Sequence, residues 1–167
     1  DPALVRARRE AMARRLGRDI VWMNQTHSTR VETIVHTDRA PMLASAGTAL
    51  ARPAPGEWGP VEADGVVIDA RGWRSAPALA VQTADCLPVV LSAARGEVVA
   101  AVHAGRRGLL GGILTAAVEQ IRSLTDEAIL ALIGPAICGR CYEVPERMAS
   151  ESEADMPGIR EIGRAHV

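Results

Sequence analysis

The sequence predicts a single α/β or α+β domain, and three observations predict it. The 167 residues are 48% hydrophobic, enough chain and enough apolar side chain for one real core. Short apolar runs of strand length, bounded by Gly, Pro and polar residues, recur through the middle of the chain, while helical signals stand before and after them. No internal repeat at a fixed period is present, which sets aside solenoids and propellers.

The elements follow in order. Asp1 and Pro2 open a helix through LVRARREAMARRLG: Asp1 can cap it, Pro2 suits its first turn, and Gly17 ends it. Leu4, Val5, Met12 and Leu16 give this helix a partial apolar stripe. Ile20 to Met23 and Thr29 to Val35 read as strands on either side of Gln25-Thr26-His27. His36 to Pro60 holds four prolines (Pro41, Pro53, Pro55, Pro60) and reads as a long loop or insertion. Gly65 to Ile68, Ala78 to Gln82, Leu87 to Ser92 and Val98 to His103 read as strands, with a hairpin turn at Arg95-Gly96 joining the last two. Gly111-Gly112 leads into a helix reaching about Leu124, with Ile113, Leu114, Ala117, Val118, Ile121 and Leu124 on one side. Ala128 to Ile133 is a short strand, and Pro145 to Glu153 starts another helix.

Composition removes several function classes. The net charge is −1, so there is no bulk electrostatic case for nucleic acid or for a membrane surface. No apolar run approaches the roughly 20 residues that span a bilayer. Three cysteines and no visible signal peptide give the expectation of a cytoplasmic protein with reduced thiols. All 19 basic residues are Arg, and Phe is absent, a bias of the genome rather than of function. The last six residues, 162–167, read as a non-native tail, so His166 carries no functional weight and the native chain is expected to continue beyond about Glu161. Residues 1–161 expressed alone are accordingly expected to be poorly soluble and inactive.

Three polar pieces interrupt the apolar pattern: QTH at Gln25 to His27, TADCLPV at Thr83 to Val89, and HAGRRG at His103 to Gly108. Each sets one metal-ligating side chain, His27, Cys86 or His103, at or just beyond a strand. Two imidazoles and a thiolate leave a tetrahedral zinc one open position, the arrangement of a catalytic site. Read singly, each has a plainer explanation. A histidine after a strand is commonly a hydrogen-bonded surface or core residue, and a cysteine between strands a buried small hydrophobe. Asp85 beside Cys86 needs a partner if buried, and the thiol itself could be a nucleophile or a ligand. Gly105, Gly108, Gly111 and Gly112, with Arg106 and Arg107, make the last piece either an anion-binding turn suited to phosphate or a flexible turn with solvated arginines.

The pieces, taken together and in order, resemble the YfiH/YlmD-type laccase-domain family, also called polyphenol-oxidase-like and regarded as purine nucleoside phosphorylases. The resemblance runs from Val5 to about Val144 through VRARR, QTHS, EADGVV, TADCLPVVL, HAGRRG and GPAICGRCYEV, with seventeen positions between Cys86 and His103. It implies an α+β fold layered α/β/β/α with mixed sheets. It implies phosphorolysis of purine nucleosides (adenosine, inosine, guanosine, methylthioadenosine) with adenosine deamination as a second activity. It implies Zn²⁺, with copper less favoured, held by His27, Cys86 and His103. Arg9 matches the arginine of the family's N-terminal helix, and Asp85 and Arg107 match the polar residues beside the site. On that basis Arg9, Arg107, Gly105 and Gly108 are candidates for phosphate, and Asp85 for the proton carrier of deamination. Three departures stand out: Ser28 replaces the family glycine, Arg8 the asparagine before Arg9, and Arg106 the family tryptophan.

Other classes fit parts of the same set. Cys86 as nucleophile with His103 as base would make a hydrolase. A copper polyphenol oxidase is the older family label, but a multicopper site needs many histidines, and the chain has four with no H-x-H pair. A non-catalytic partner-binding fragment is the third. Cys138-Gly139-Arg140-Cys141 is a C-x-x-C that could be a redox pair or half of a zinc site. No second C-x-x-C exists, and no helix clearly starts at it, so it reads as structural.

Overall fold

Ile20, Val21, Trp22 and Met23 are four consecutive buried residues, so β1 (Ile20–Met23) must be covered on both faces. In the computed structural model, which describes residues 1–37 and 41–159, it is. Ile20 and Trp22 pack with Ala13 of α1 (Pro2–Leu16), while Val21 and Met23 point the other way into a second cluster. β1 is the middle of a three-stranded parallel sheet, between β5 (Glu57–Val61) and β7 (Ala78–Leu79).

The second cluster lies between this sheet and a larger one. Val21, Met23 and Val61 meet Ile34 of β2 (Val31–His36) and Val66 and Ile68 of β6 (Gly65–Asp69). The larger sheet has seven strands in the order β10-β8-β9-β6-β2-β3-β4 and mixed direction. Its remaining members are β3 (Pro41–Leu43), β4 (Thr48–Ala49), β8 (Leu87–Ala93), β9 (Val98–Ala104) and β10 (Leu130–Ile133). Its other face, with Val67, Val98, Ala100 and Val102, carries α3 (Ile113–Arg122) through Ile113, Ala117 and Ile121. The layers are therefore α1, small sheet, large sheet, α3, the α/β/β/α arrangement. Period-two alternation on β6 and β9 sorts neighbouring side chains between the two clusters.

Several local expectations change. The stretch from His36 to Pro60 is not one loop: it contributes β3, β4 and β5. Pro41 is the first residue of its strand and Pro60 lies on an edge strand, the two places where a missing N–H does no harm. The proposed stripe on α1 does not face the core: Leu4, Val5, Met12 and Leu16 are all exposed, and the helix docks through Ala13 and Arg9. Ala13 sits so close to Gly56 that a side chain there would meet its Cβ at 2.8 Å. The strand expected over 78–82 stops at Leu79, and the glycine-rich turn after His103 winds into a five-residue helix, α2 (Arg106–Leu110). Asp1 and Gly17 cap α1 as expected, Asp1 accepting from the Ala3 N–H at 2.9 Å. β8 and β9 form the hairpin, and Pro145 caps α4 (Glu146–Asp155). β10 is an edge strand whose four residues, Leu130 to Ile133, are all exposed. Among the described residues no helix is long and apolar enough to cross a membrane. The expected end of the native segment near Glu161, the tail 162–167 and His166 lie outside the described residues.

Candidate metal centre

The site forms at one end of the large sheet, where β6 and β8 begin and β9 ends, below the exit of β1. Register does much of the assembly. Gly65 pairs with Val102, so Asp64 falls opposite His103, whose backbone N–H donates to the Asp64 carbonyl at 2.7 Å. Leu87 pairs with Ala104, which puts Cys86 opposite Gly105. The chain leaving β1 then folds over this end through Gln25 to Arg30 before entering β2 in the other sheet.

His27, Cys86 and His103 converge, their ligand atoms lying within 4.8 Å of one another. Cys86 Sγ is 3.6 Å from His27 Nε2, and the two imidazoles meet edge to face at 4.7 Å between centroids. Among the described residues this is the cluster of His, Cys, Asp or Glu able to hold a metal.

Asp64 organises it. The side chain is 0% exposed and accepts at Oδ1 from the His27 N–H (2.9 Å) and at Oδ2 from the N–H groups of Thr26 (3.1 Å) and Ser28 (2.7 Å). Ser28 Oγ donates to Oδ2 at 2.6 Å, and His103 Nδ1 lies 2.8 Å from Oδ1. Three successive N–H groups curl around one carboxylate, and this holds His27 at φ 61°, a left-handed conformation rare for a non-glycine residue. Burial alone would raise the Asp64 pKa. The hydrogen bonds from Ser28, His103 and Thr26 outweigh it and lower the value to about 2. The carboxylate is therefore ionised and can only accept, so His103 donates to it from Nδ1 and Nε2 is the ring nitrogen left to face the cluster. This is the carboxylate–histidine pairing that orients metal-ligating imidazoles.

The donor set fits a borderline or soft ion: two imidazoles and a thiol, one ring pre-oriented by a buried carboxylate, three protein ligands where a tetrahedral ion takes four. Burial first, then the negative charges of Asp85 and Asp64, push the Cys86 thiol up, so the surroundings favour the thiol over the free thiolate.

The other residues singled out from the sequence are placed as follows. Gly105 and Gly108 pack under the His27 loop. A Cβ on Gly105 would lie 2.5 Å from His27 Cδ2 and 3.3 Å from Cys86 Sγ, and one on Gly108 would lie 2.7 Å from the Ser28 carbonyl oxygen. Asp85 is exposed beside Cys86, and its carbonyl accepts from the Ile137 N–H at 3.1 Å. Arg107 is exposed on α2. Arg9 is engaged elsewhere: its guanidinium pairs with Glu57 at 2.6 Å and lies 4.2 Å over the Trp22 ring, on the α1 side of the small sheet. Arg106 reaches Ser152 of α4 at 3.4 Å.

Asp64 and Ser28 are the functional positions that sequence reasoning left without a role. EADGVV stood in the pattern, and an aspartate opening an apolar strand is a charge in need of partners. Nothing in the sequence showed that three N–H groups some 36–38 residues earlier would supply them. Ser28, noted only as a departure, adds a hydroxyl donor to the same carboxylate.

A layered α/β/β/α domain with a His₂Cys cluster at a sheet end defines a candidate metalloprotein of the laccase-domain class. The chain belongs to the multi-copper polyphenol oxidoreductase laccase family, whose model matches residues 1–166. It is 42% identical over 167 residues to a purine nucleoside phosphorylase (ORF3) of Streptomyces griseus and 45% over 162 residues to one (SCO2081) of Streptomyces coelicolor, covering 95% and 94% of this chain and 58% of each relative. It is 32% identical to the adenosine deaminase RL5 of an unknown prokaryotic organism, over 89% of this chain and 55% of that protein. Among solved structures, Neisseria meningitidis NMB0706 superposes with TM-score 0.68 at 34% identity, over 94% of this chain and 55% of that one. Bacillus licheniformis YfiH does so with TM-score 0.66 at 29% identity, over 92% and 54%. The chain thus spans a little over half the length of the curated relatives it matches.

Proposed function

We propose that the protein is a zinc-dependent purine nucleoside phosphorylase with adenosine deaminase activity, acting in the cytoplasm. The observation that carries this reading is the convergence of His27, Cys86 and His103 around Asp64. The names of the relatives supply the substrate class, purine nucleosides and phosphate. His27, Cys86 and His103 would hold the metal, and a bound Zn²⁺ in such a site supplies Lewis acidity and an activated water.

The chain's own residues do the rest. Asp64 keeps His103 in the Nδ1–H tautomer and the His27 loop in place. Asp85, exposed at the rim beside Cys86, is the candidate to carry a proton to the leaving amine in deamination. Phosphate is assigned to Arg107 and the Gly105–Gly108 turn, and Arg9 would join them only by exchanging its ion pair with Glu57. Residues 1–161 are a fragment of the laccase domain on this reading, and 162–167 a non-native tail.

Two observations weigh against the alternatives. The Cys86 thiol is pushed up and the imidazole it contacts is His27, at 3.6 Å, which does not favour a Cys86–His103 hydrolase pair. One cluster of three ligands among the described residues is fewer than a multicopper centre uses. Incubating the protein with inosine or adenosine and phosphate tests the proposal. Free base and ribose 1-phosphate, with stoichiometric zinc by elemental analysis, are the expected result. Turnover that needs no phosphate and survives zinc removal would overturn it.

A further inference from the structure

The loop between β10 and α4 carries two thiols that the metal cluster does not use. Its backbone turns on Cys138, whose carbonyl accepts the N–H groups of Cys141 at 2.9 Å and Tyr142 at 3.1 Å. The turn brings the two Sγ atoms to 3.2 Å, within hydrogen-bond distance. Both are free thiols; Cys138 is half-buried and Cys141 exposed, so a small reagent can reach them.

We propose that Cys138 and Cys141 form a thiol–disulfide exchange site that takes small-molecule disulfides, with Cys138 as the attacking sulfur and Cys141 as the resolving one. The roles follow from the surroundings. The thiol–thiol contact with Cys141, then the backbone N–H groups of Cys141 and Arg140 and the Arg140 charge, hold the Cys138 thiol below its ordinary range. The same contact with Cys138 pushes Cys141 up. The two shifts run in opposite directions across one short contact, which gives the first attack to Cys138 and the second to Cys141.

The chemistry balances. The Cys138 thiolate attacks one sulfur of R–S–S–R, a bond forms between them, and RS⁻ leaves and takes a proton. Cys141, losing its proton to solvent, then attacks Cys138 in the mixed disulfide and expels the second RS⁻. Two protein thiols are oxidised to one disulfide, and the small disulfide is reduced to two thiols. The loop is also tied to the metal centre's rim, since the Ile137 N–H donates to the carbonyl of Asp85, the neighbour of Cys86.

The probe is oxidised glutathione, added to the reduced, zinc-loaded chain, followed by alkylation of free thiols and peptide mass spectrometry. A Cys138–Cys141 disulfide is expected, rising with the ratio of oxidised to reduced glutathione and reversed by excess reduced glutathione. Cys141→Ser should stop at a glutathione adduct on Cys138, formed at least about 10-fold faster than the adduct on Cys141 in Cys138→Ser. Equal rates in the two variants, no internal disulfide with all the glutathione oxidised, or pairing of either cysteine with Cys86 would overturn the assignment. Should a serine variant fail to fold, substoichiometric iodoacetamide on the wild-type chain decides instead. Cys138 should be labelled first, and labelling of Cys141 at the same rate refutes the roles.

Discussion

Replacing Asp64 by Asn changes neither size nor shape, so it isolates the carboxylate's charge and acceptor capacity. The carboxylate's pKa moves from 3.8 to about 2 in the fold. A shift of that size corresponds to about 2–3 kcal/mol of stabilisation of the ionised form. Asn has one acceptor oxygen in place of two, and its NH₂ must face donors. If it replaces Oδ1 it meets the His27 N–H and His103 Nδ1–H, and if it replaces Oδ2 it meets the donors from Thr26 and Ser28. Orphaning buried donors costs about 1–3 kcal/mol each, and the amide faces at least two of them in either orientation. We therefore expect Asp64→Asn to destabilise the metal-free protein by about 2–6 kcal/mol. Zinc affinity should fall about 10–100-fold, because His103 loses its orienting partner. Urea denaturation of the metal-free protein and zinc titration against a competing chelator measure the two effects. Because the folded pKa is depressed, the stabilisation is fully present above the unfolded value of about 4 and is lost as pH falls through about 2. The wild-type stability curve should carry that acid limb and the Asn variant should lack it. A destabilisation below about 1 kcal/mol, with unchanged metal affinity, would refute the role given to Asp64.

Other perturbations follow from the same geometry. Cys86→Ala should abolish zinc binding and turnover together, whereas Cys138→Ser and Cys141→Ser should leave zinc content and turnover largely intact; elemental analysis and initial rates check both. Gly105→Ala forces a Cβ to within 2.5 Å of His27 Cδ2, so it should cost about 1–3 kcal/mol in thermal or urea unfolding and weaken zinc binding. Ser28→Ala removes a 2.6 Å hydroxyl bond to an ionised acceptor and should cost about 1.5–3 kcal/mol at neutral pH, measured by urea unfolding. Asp85→Asn should lower the deamination rate by about 10²-fold or more while leaving zinc content unchanged, and an unaltered rate would remove it as proton carrier.

Much of the architecture could be read from periodicity. β6, β8 and β9 alternate or run apolar as buried strands should, and α3 shows the face it buries, Ile113, Ala117 and Ile121. The 36–60 stretch misled because proline count stands for loop only when strand position is ignored; Pro41 and Pro60 occupy tolerated strand positions. α1 misled for a different reason. Its visible apolar residues are exposed, and its docking rests on a small residue, Ala13, and on the stacking of Arg9 over Trp22, neither of which periodicity ranks highly. The three metal-ligand candidates were legible as residue types beside strands. Their convergence was not, because it depends on cross-strand register and on a carboxylate between segments far apart in sequence.

That register gives the site a second meaning. Asp64 belongs to the head of β6, which pairs with β2 on one side and β9 on the other, and it joins residues 36–39 positions away in both directions. Pairings of that separation carry a large loop-closure cost and belong to slow, non-local assembly. A slip of one residue between β6 and β9 would turn every side chain of the strand, and the alignment of Asp64 with His103, to the wrong face. The cluster is therefore a gauge of correct sheet alignment: a metal held by His27, Cys86 and His103 would be open only to chains whose central strands have locked in the right frame, and the ion would reward that frame over its near misses.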